Sequence, residues 1–259
     1  MKIYLFAVVL IMPISLGADD RENTFHLSGA GEEANLDTAV YTDNAAWNPE
    51  LIPYLSKETR ILTNWQEKIR LPDPPANSSE RTRAELDYLK NLESVRSDDQ
   101  KNAILRELKV IGMKIGAHEM GPMFEKETSL PETRKLLLAG MHDMEIIIFK
   151  TKNHFNRVRP THLDPDIHPS IEVPGHPAYP SGHATQAHVL AYLFCELDPE
   201  NSDDYLRSAS QIARNREIAG VHYPSDSAAG QLLARQIVDR LLEHEGFRSL
   251  LEKARREWE

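Results

Sequence analysis

The sequence predicts an all-α fold: a single helical bundle domain carrying an N-terminal extension. Three observations predict it. Apolar residues recur at three- and four-residue spacing, as in Ile104, Leu108, Ile111 and Ile115 and again from Leu136 to Ile148, which places them on one helix face. Residues suited to helix starts, among them Pro131, Ser181 and Pro224, precede the apolar stretches. Alternating strand patterns are essentially absent.

Residues 1–18 have the layout of an export signal, with Lys2 before an apolar stretch from Tyr4 to Ile14 and small residues ending at Ala18. The stretch is short for a bilayer span, which takes about 20 residues, so cleavage after Ala18 and a periplasmic or secreted protein without a stable membrane span are expected. Residues 19–77 read as an N-terminal arm with one short helix near Glu58 to Ile69. Leu71 to Asn77 is a proline-rich break. Residues 78–259 form the helical domain. Thr82 to Glu85 fits a capping box for its first helix, which starts there or a few residues earlier. The next runs from about Asp99 to His118. Pro131 opens a long central helix reaching about Lys152, apolar around its circumference at Ile146 to Phe149. Six prolines between Arg159 and Pro180 rule out regular helix there and imply an ordered loop or cover. Helices resume at about Ser181 to Leu197, Ser202 to Ala219, Pro224 to Glu243 and Phe247 to Trp258.

With 259 residues, 41% hydrophobic, the chain is long enough for one good core. Its formal charge of −10 argues against a nucleic-acid partner, which needs a basic face, but leaves room for a local cationic pocket that takes a small anion. Cys195 is the only cysteine, so no internal disulfide forms, and its apolar neighbours mark it as a buried structural thiol.

Three segments carry chemistry. In Pro180 to His183 (PSGH), Ser181 and Gly182 open a helix. Its free N–H groups and positive dipole end suit a phosphate, Gly182 lets the anion approach, Ser181 adds a hydroxyl, and His183 lies in the same turn. Alone, this is equally an ordinary serine cap beside an incidental histidine. In Val221 to Asp226 (VHYPSD), Pro224 starts a helix, His222 lies just outside it and Asp226 falls in its first turn. Asp226 then either reaches back to orient His222 as a nucleophile or simply caps N–H groups. Arg216 offers a planar fork, and Lys152 and Arg159 flank a turn closed by Pro160. Three cations facing one dianion suit phosphoryl transfer without a metal. Lys150, Arg157, Arg214 and Arg235 read as surface charges. His162, His168 and His176 sit in the proline loop, where they could line a pocket mouth. His118, His142, His154, His188 and His244 read as surface or satisfied polar groups, and no metal constellation stands out.

In order and internal spacing, these segments resemble the type 2 phosphatidic-acid phosphatase superfamily, which includes bacterial non-specific acid phosphatases and vanadium haloperoxidases. Its pattern has a lysine separated by six residues from Arg-Pro, then PSGH, then Ser-Arg, His and Asp. This chain has Lys152 with Arg159-Pro160, then Pro180 to His183, then Arg216, His222 and Asp226 at the family spacings. Asn215 stands where the family usually has serine, and Ala184 follows PSGH as it often does in haloperoxidases. The resemblance implies that His222 attacks phosphorus, His183 protonates the leaving alcohol and Asp226 orients His222. It assigns Lys152, Arg159, Ser181, Gly182 and Arg216 to the phosphoryl oxygens. The expected function is a phosphomonoesterase acting on a small phosphorylated substrate, without a cofactor and with a bell-shaped pH profile centred below neutral. A vanadate-holding haloperoxidase and a non-catalytic phosphate or phospholipid binding module are the alternatives.

Overall fold

The computed structural model describes residues 36–259. The expected leader and residues 19–35 of the expected arm lie outside that range. Among the described residues the chain is helical apart from one short hairpin: α1 (Tyr41–Asn44), α2 (Trp65–Lys68), α3 (Glu80–Ser94), α4 (Asp98–Arg106), β1 (Lys114–Ile115), β2 (His118–Glu119), α5 (Met120–Phe124), α6 (Pro131–Phe155), α7 (Pro160–Leu163), α8 (Gly182–Leu197), α9 (Ser202–Ile218), α10 (Pro224–Glu243) and α11 (Glu245–Arg255). No described helix is long and apolar enough to cross a membrane.

The core forms where α8 packs against α9 and α10, and α6 against α8 and α11. Leu136, Ile147, Leu190, Phe194, Leu233 and Ile237 are all buried there. Close approach of α8 and α10 depends on Gly230. A Cβ added there would stand 2.7 Å from the Ser181 carbonyl oxygen and 2.8 Å from the Ala184 Cβ.

The long helix from Pro131 extends to Phe155, and α8 to α10 lie where periodicity and prolines place them. The early helices differ. The helix expected over Glu58 to Ile69 shrinks to α2, because the preceding backbone has another partner. Buried Asp143 of α6 accepts the N–H groups of Arg60, Ile61 and Leu62 at 2.7, 2.7 and 2.8 Å, which commits them away from a helix. Helix α3 begins at Glu80, at the early side of the expected start, with Ser79 as the cap that accepts from the Thr82 N–H. The helix expected from Asp99 to His118 stops at Arg106. Ile104 and Ile115 are buried in different clusters, whereas Leu108 and Ile111 are 42% and 43% exposed. The four therefore do not share a face. Gly116, with φ of +59°, turns the chain into the β1–β2 hairpin instead. A glycine tolerates that left-handed conformation where other residues would be strained.

Candidate active site

Two helix ends and two helix starts bring the predicted residues together. Lys152 lies in the last turn of α6, which ends at Asn156 in the left-handed region. The chain then leads through Arg157 and Arg159 into α7. At the end of α9, Gly220 adopts φ of +78°. Its N–H donates to the Glu217 carbonyl, and the Val221 N–H donates to the Arg216 carbonyl, a Schellman stop. That turn fixes the spacing from Arg216 to His222. Pro224 starts α10 directly afterwards. Two bonds then define the Asp226 position: its carboxylate accepts the Tyr223 N–H at 3.0 Å, and its own carbonyl accepts the Ser181 N–H at 3.0 Å. The second bond ties the start of α10 to the start of α8.

His222 is buried, with a partner on each ring nitrogen. Nδ1 lies 3.0 Å from Asp226 Oδ2, and Arg159 Nη1 lies 3.1 Å from Nε2. A carboxylate only accepts and a guanidinium only donates. Nδ1 therefore carries the hydrogen and Nε2 the lone pair. Burial first, then the Arg159 and Lys152 cations, holds the ring well below the ordinary imidazole range despite Asp226. Burial alone would raise the Asp226 carboxyl, but Arg157, His222 and the Tyr223 N–H outweigh it, so the carboxyl lies below its usual range.

Arg159 is fully buried. It donates to the carbonyls of Val221 at 2.7 Å and His176 at 3.0 Å, and to His176 Nδ1 at 2.9 Å. Burial pulls its guanidinium down to about 10, with Asp226 opposing, so it stays charged at neutral pH. Lys152 Nζ donates to the Pro177 and Ala178 carbonyls at 2.8 and 3.1 Å. Burial and then Arg159 depress its ammonium well below the ordinary lysine value. Gly182 lies against it: a Cβ at Gly182 would stand 3.8 Å from Lys152 Cε. Ser181 caps α8 by accepting the Ala184 N–H.

His183 and Arg216 meet through Glu107. His183 Nε2 donates to the Glu107 carbonyl at 3.0 Å, and Arg216 Nη2 donates to the Glu107 carboxylate at 2.8 Å. Asn215, in place of the family serine, donates to both oxygens of that carboxylate at 2.8 and 3.0 Å. Burial, then the Arg216 cation, pushes His183 down to about 3, and Lys152 adds to the effect. The Lys152 ammonium thus lowers both imidazoles, His183 and His222. Arg216 Nε and Nη1 are buried without a hydrogen-bond partner. Buried, unpaired guanidinium donors are costly, and an oxyanion is the chemistry that satisfies them.

His176 of the proline loop packs against Arg159, and burial, then Lys152 and Arg159, depresses it well below the normal range. The structure corrects two readings. Arg157 is not a surface charge: it is buried and donates to Asp226 Oδ1 at 2.6 Å and to Ser225 Oγ at 2.7 Å. His188 is buried, donating from Nδ1 to the Ala184 carbonyl, while its Nε2 has no partner. Sequence reading gave Glu85 only a place in a capping box, whereas it bonds Ser225 and Arg157, and it missed Glu107 altogether. Both lie far along the chain from the motifs, and nothing in their local pattern points to the site.

The geometry coincides with sequence relationships. Residues 136–238, which contain every predicted site residue, match the PAP2 superfamily. It is 28% identical over 142 residues to a non-specific acid phosphatase of Providencia stuartii, covering 53% of this chain and 56% of that protein. It is 30% identical over 134 residues to an acid phosphatase of Zymomonas mobilis, covering 50% and 51%. The chain spans about half the length of these relatives. Among solved structures, a bacterial vanadium-dependent chloroperoxidase in its apo form superposes with a TM-score of 0.60 at 12% identity, over 82% of this chain and 57% of that one. A bacterial vanadium-dependent iodoperoxidase gives 0.58 at 20% identity, over 78% and 61%. These likenesses show a shared fold.

Proposed function

We propose that this chain is an exported phosphomonoesterase that hydrolyses small phosphate esters through a phosphohistidine intermediate. The observation that carries the reading is the state of His222: hydrogen on Nδ1 facing Asp226, lone pair on Nε2 facing the cations. Binding alone has no need of an oriented nucleophile. In the proposed cycle, Arg216 Nε and Nη1, Arg159 and Lys152 take the phosphoryl oxygens, and Arg159 transfers its bond from Nε2 to the substrate. Nε2 attacks phosphorus and the ester P–O bond breaks. His183 gives a proton to the leaving alkoxide. A water then attacks the phosphohistidine, with His183 accepting its proton, and releases phosphate. Stabilisation of the spread charge comes from the fixed cations, and the route calls for no metal ion. An arriving dianion offsets the Arg216 and Lys152 charges that depress His183, so substrate itself promotes the protonated form that donates.

Vanadate has the same tetrahedral geometry and suits the same buried donors, so a haloperoxidase is the second reading. The fold shared with the two peroxidases supports it, as does Ala184 after PSGH. One experiment separates the two. The protein is incubated with p-nitrophenyl phosphate, with and without vanadate, and separately with vanadate, peroxide and bromide. We expect phosphate release that vanadate blocks, no bromination, and a loss of at least a thousandfold in His222→Ala. Bromination without phosphate release would replace the first reading with the second. Full activity in His222→Ala would remove the assigned nucleophile.

A further inference from the structure

We propose that Arg157 is a positioning residue that sets the basicity of His222 through Asp226. Asp226 is shared between two partners. One oxygen accepts from His222 Nδ1 at 3.0 Å, and the other accepts from Arg157 Nη1 at 2.6 Å. Arg157 is itself held on three sides. Its guanidinium lies 3.9 Å from the Tyr223 ring centroid, Nη1 donates to Ser225 Oγ at 2.7 Å, and Nη2 lies 3.4 Å from Glu85 Oε2. Glu85 of α3 also accepts the Ser225 N–H at 2.9 Å and the Ser225 hydroxyl at 2.7 Å. A chain of buried, charge-assisted bonds therefore runs from α3 through Arg157 and Asp226 to the nucleophile.

The charged and titratable groups around His222 and Asp226 come from several elements. Lys152, Arg159 and His176 face the imidazole. Arg157, Tyr179, Tyr223 and Glu217 surround the carboxylate, and Glu85 stands behind Arg157. Among the side-chain hydrogen bonds to Asp226, those from His222 and Arg157 compete for its charge. Charge held by Arg157 is charge not offered to an imidazolium at His222. The arginine also repels that imidazolium directly. Both effects keep Nε2 unprotonated to lower pH, which is the form that attacks. Removing Arg157 therefore moves His222 toward protonation at higher pH.

The consequence for turnover rests on the phosphatase reading, so the test has a readout that needs no turnover. The His222 ring is titrated by NMR in histidine-labelled protein, with His222→Ala assigning its signal, and kcat/KM for p-nitrophenyl phosphate is measured across pH. In Arg157→Met we expect the ring titration and the acid limb of kcat/KM to rise by about one pH unit. That is about a tenfold loss on the acid side, with little change on the plateau. Arg157→Lys keeps the charge but loses the fork, so the rise is smaller. A purely structural role lowers activity at all pH values and leaves the ring titration where it was. That result in either folded variant overturns the proposal. Should Arg157→Met fail to fold, Arg157→Lys decides: a raised titration supports the proposal, and one coincident with wild type overturns it. A wild-type protein that releases no phosphate sinks the phosphatase reading and leaves the ring titration to judge Arg157.

Discussion

Lys152, Arg157 and Arg159 lie within eight residues of one another, yet each faces a different task. Lys152 binds loop carbonyls, Arg159 faces Nε2 of His222, and Arg157 reaches behind it to Asp226. Composition treats all three as cations, and motif spacing separates only two of them from the surface population. Glu107 shows the same limit. Its carboxylate holds Arg216 and Asn215, while its carbonyl holds His183, so one residue orients both the proposed phosphate ligand and the proposed proton donor. We expect Glu107→Ala to free Arg216 and raise KM for p-nitrophenyl phosphate by about tenfold, consistent with losing a charge-assisted bond of ~1.5 kcal/mol or more. Steady-state kinetics check this, and an unchanged KM would mean that Arg216 is oriented without Glu107.

Helix ends do most of the positioning. The Schellman stop of α9, the serine cap of α8 and the proline start of α10 each fix a functional side chain within one turn of a rigid helix. Gly230 lets the last two of these approach. With a Cβ it would press on the Ser181 carbonyl, which belongs to the PSGH turn itself. Gly230→Ala improves intrinsic helix propensity by up to about 1 kcal/mol, but overpacking costs about 1–3 kcal/mol and displaces Ser181 and Gly182. We expect net destabilisation in thermal melts together with reduced kcat. A more stable, fully active variant would show that the two helix starts are free to separate. At this scale the sequence was legible where prolines and periodicity agree, as at Pro131 and Pro224. It misled where a tertiary partner claimed the backbone, as Asp143 does for residues 60–62.

For the molecule as a whole, burying so many imidazoles ties stability to pH. Burial is the leading cause that depresses His176, His183 and His222 below the ordinary imidazole value of about 6.5. Groups depressed in the folded state contribute fully above their unfolded value and lose that contribution as pH falls toward the folded one. For His183 the window runs from about 6.5 down to about 3. Each such histidine costs about 1.4 kcal/mol per pH unit inside its window. The melting temperature should therefore fall steeply between pH 6.5 and 5, and inorganic phosphate should restore part of it by binding the folded site and offsetting its cations. A melting temperature flat across that range would mean that these rings are protonated in the folded protein.

By itself the sequence determined the helical class, the long central helix, the three chemical segments and their likeness to one superfamily. These are properties of spacing along the chain: periodicity, proline and glycine placement, and motif order all act within a few residues. The tertiary structure alone decided that Arg157 is buried against Asp226, that Glu107 joins His183 to Arg216, and that residues 60–62 serve Asp143 instead of a helix. Those outcomes depend on which distant groups share one low-dielectric interior, where an unpaired charge or N–H is costly and must find its partner across the fold.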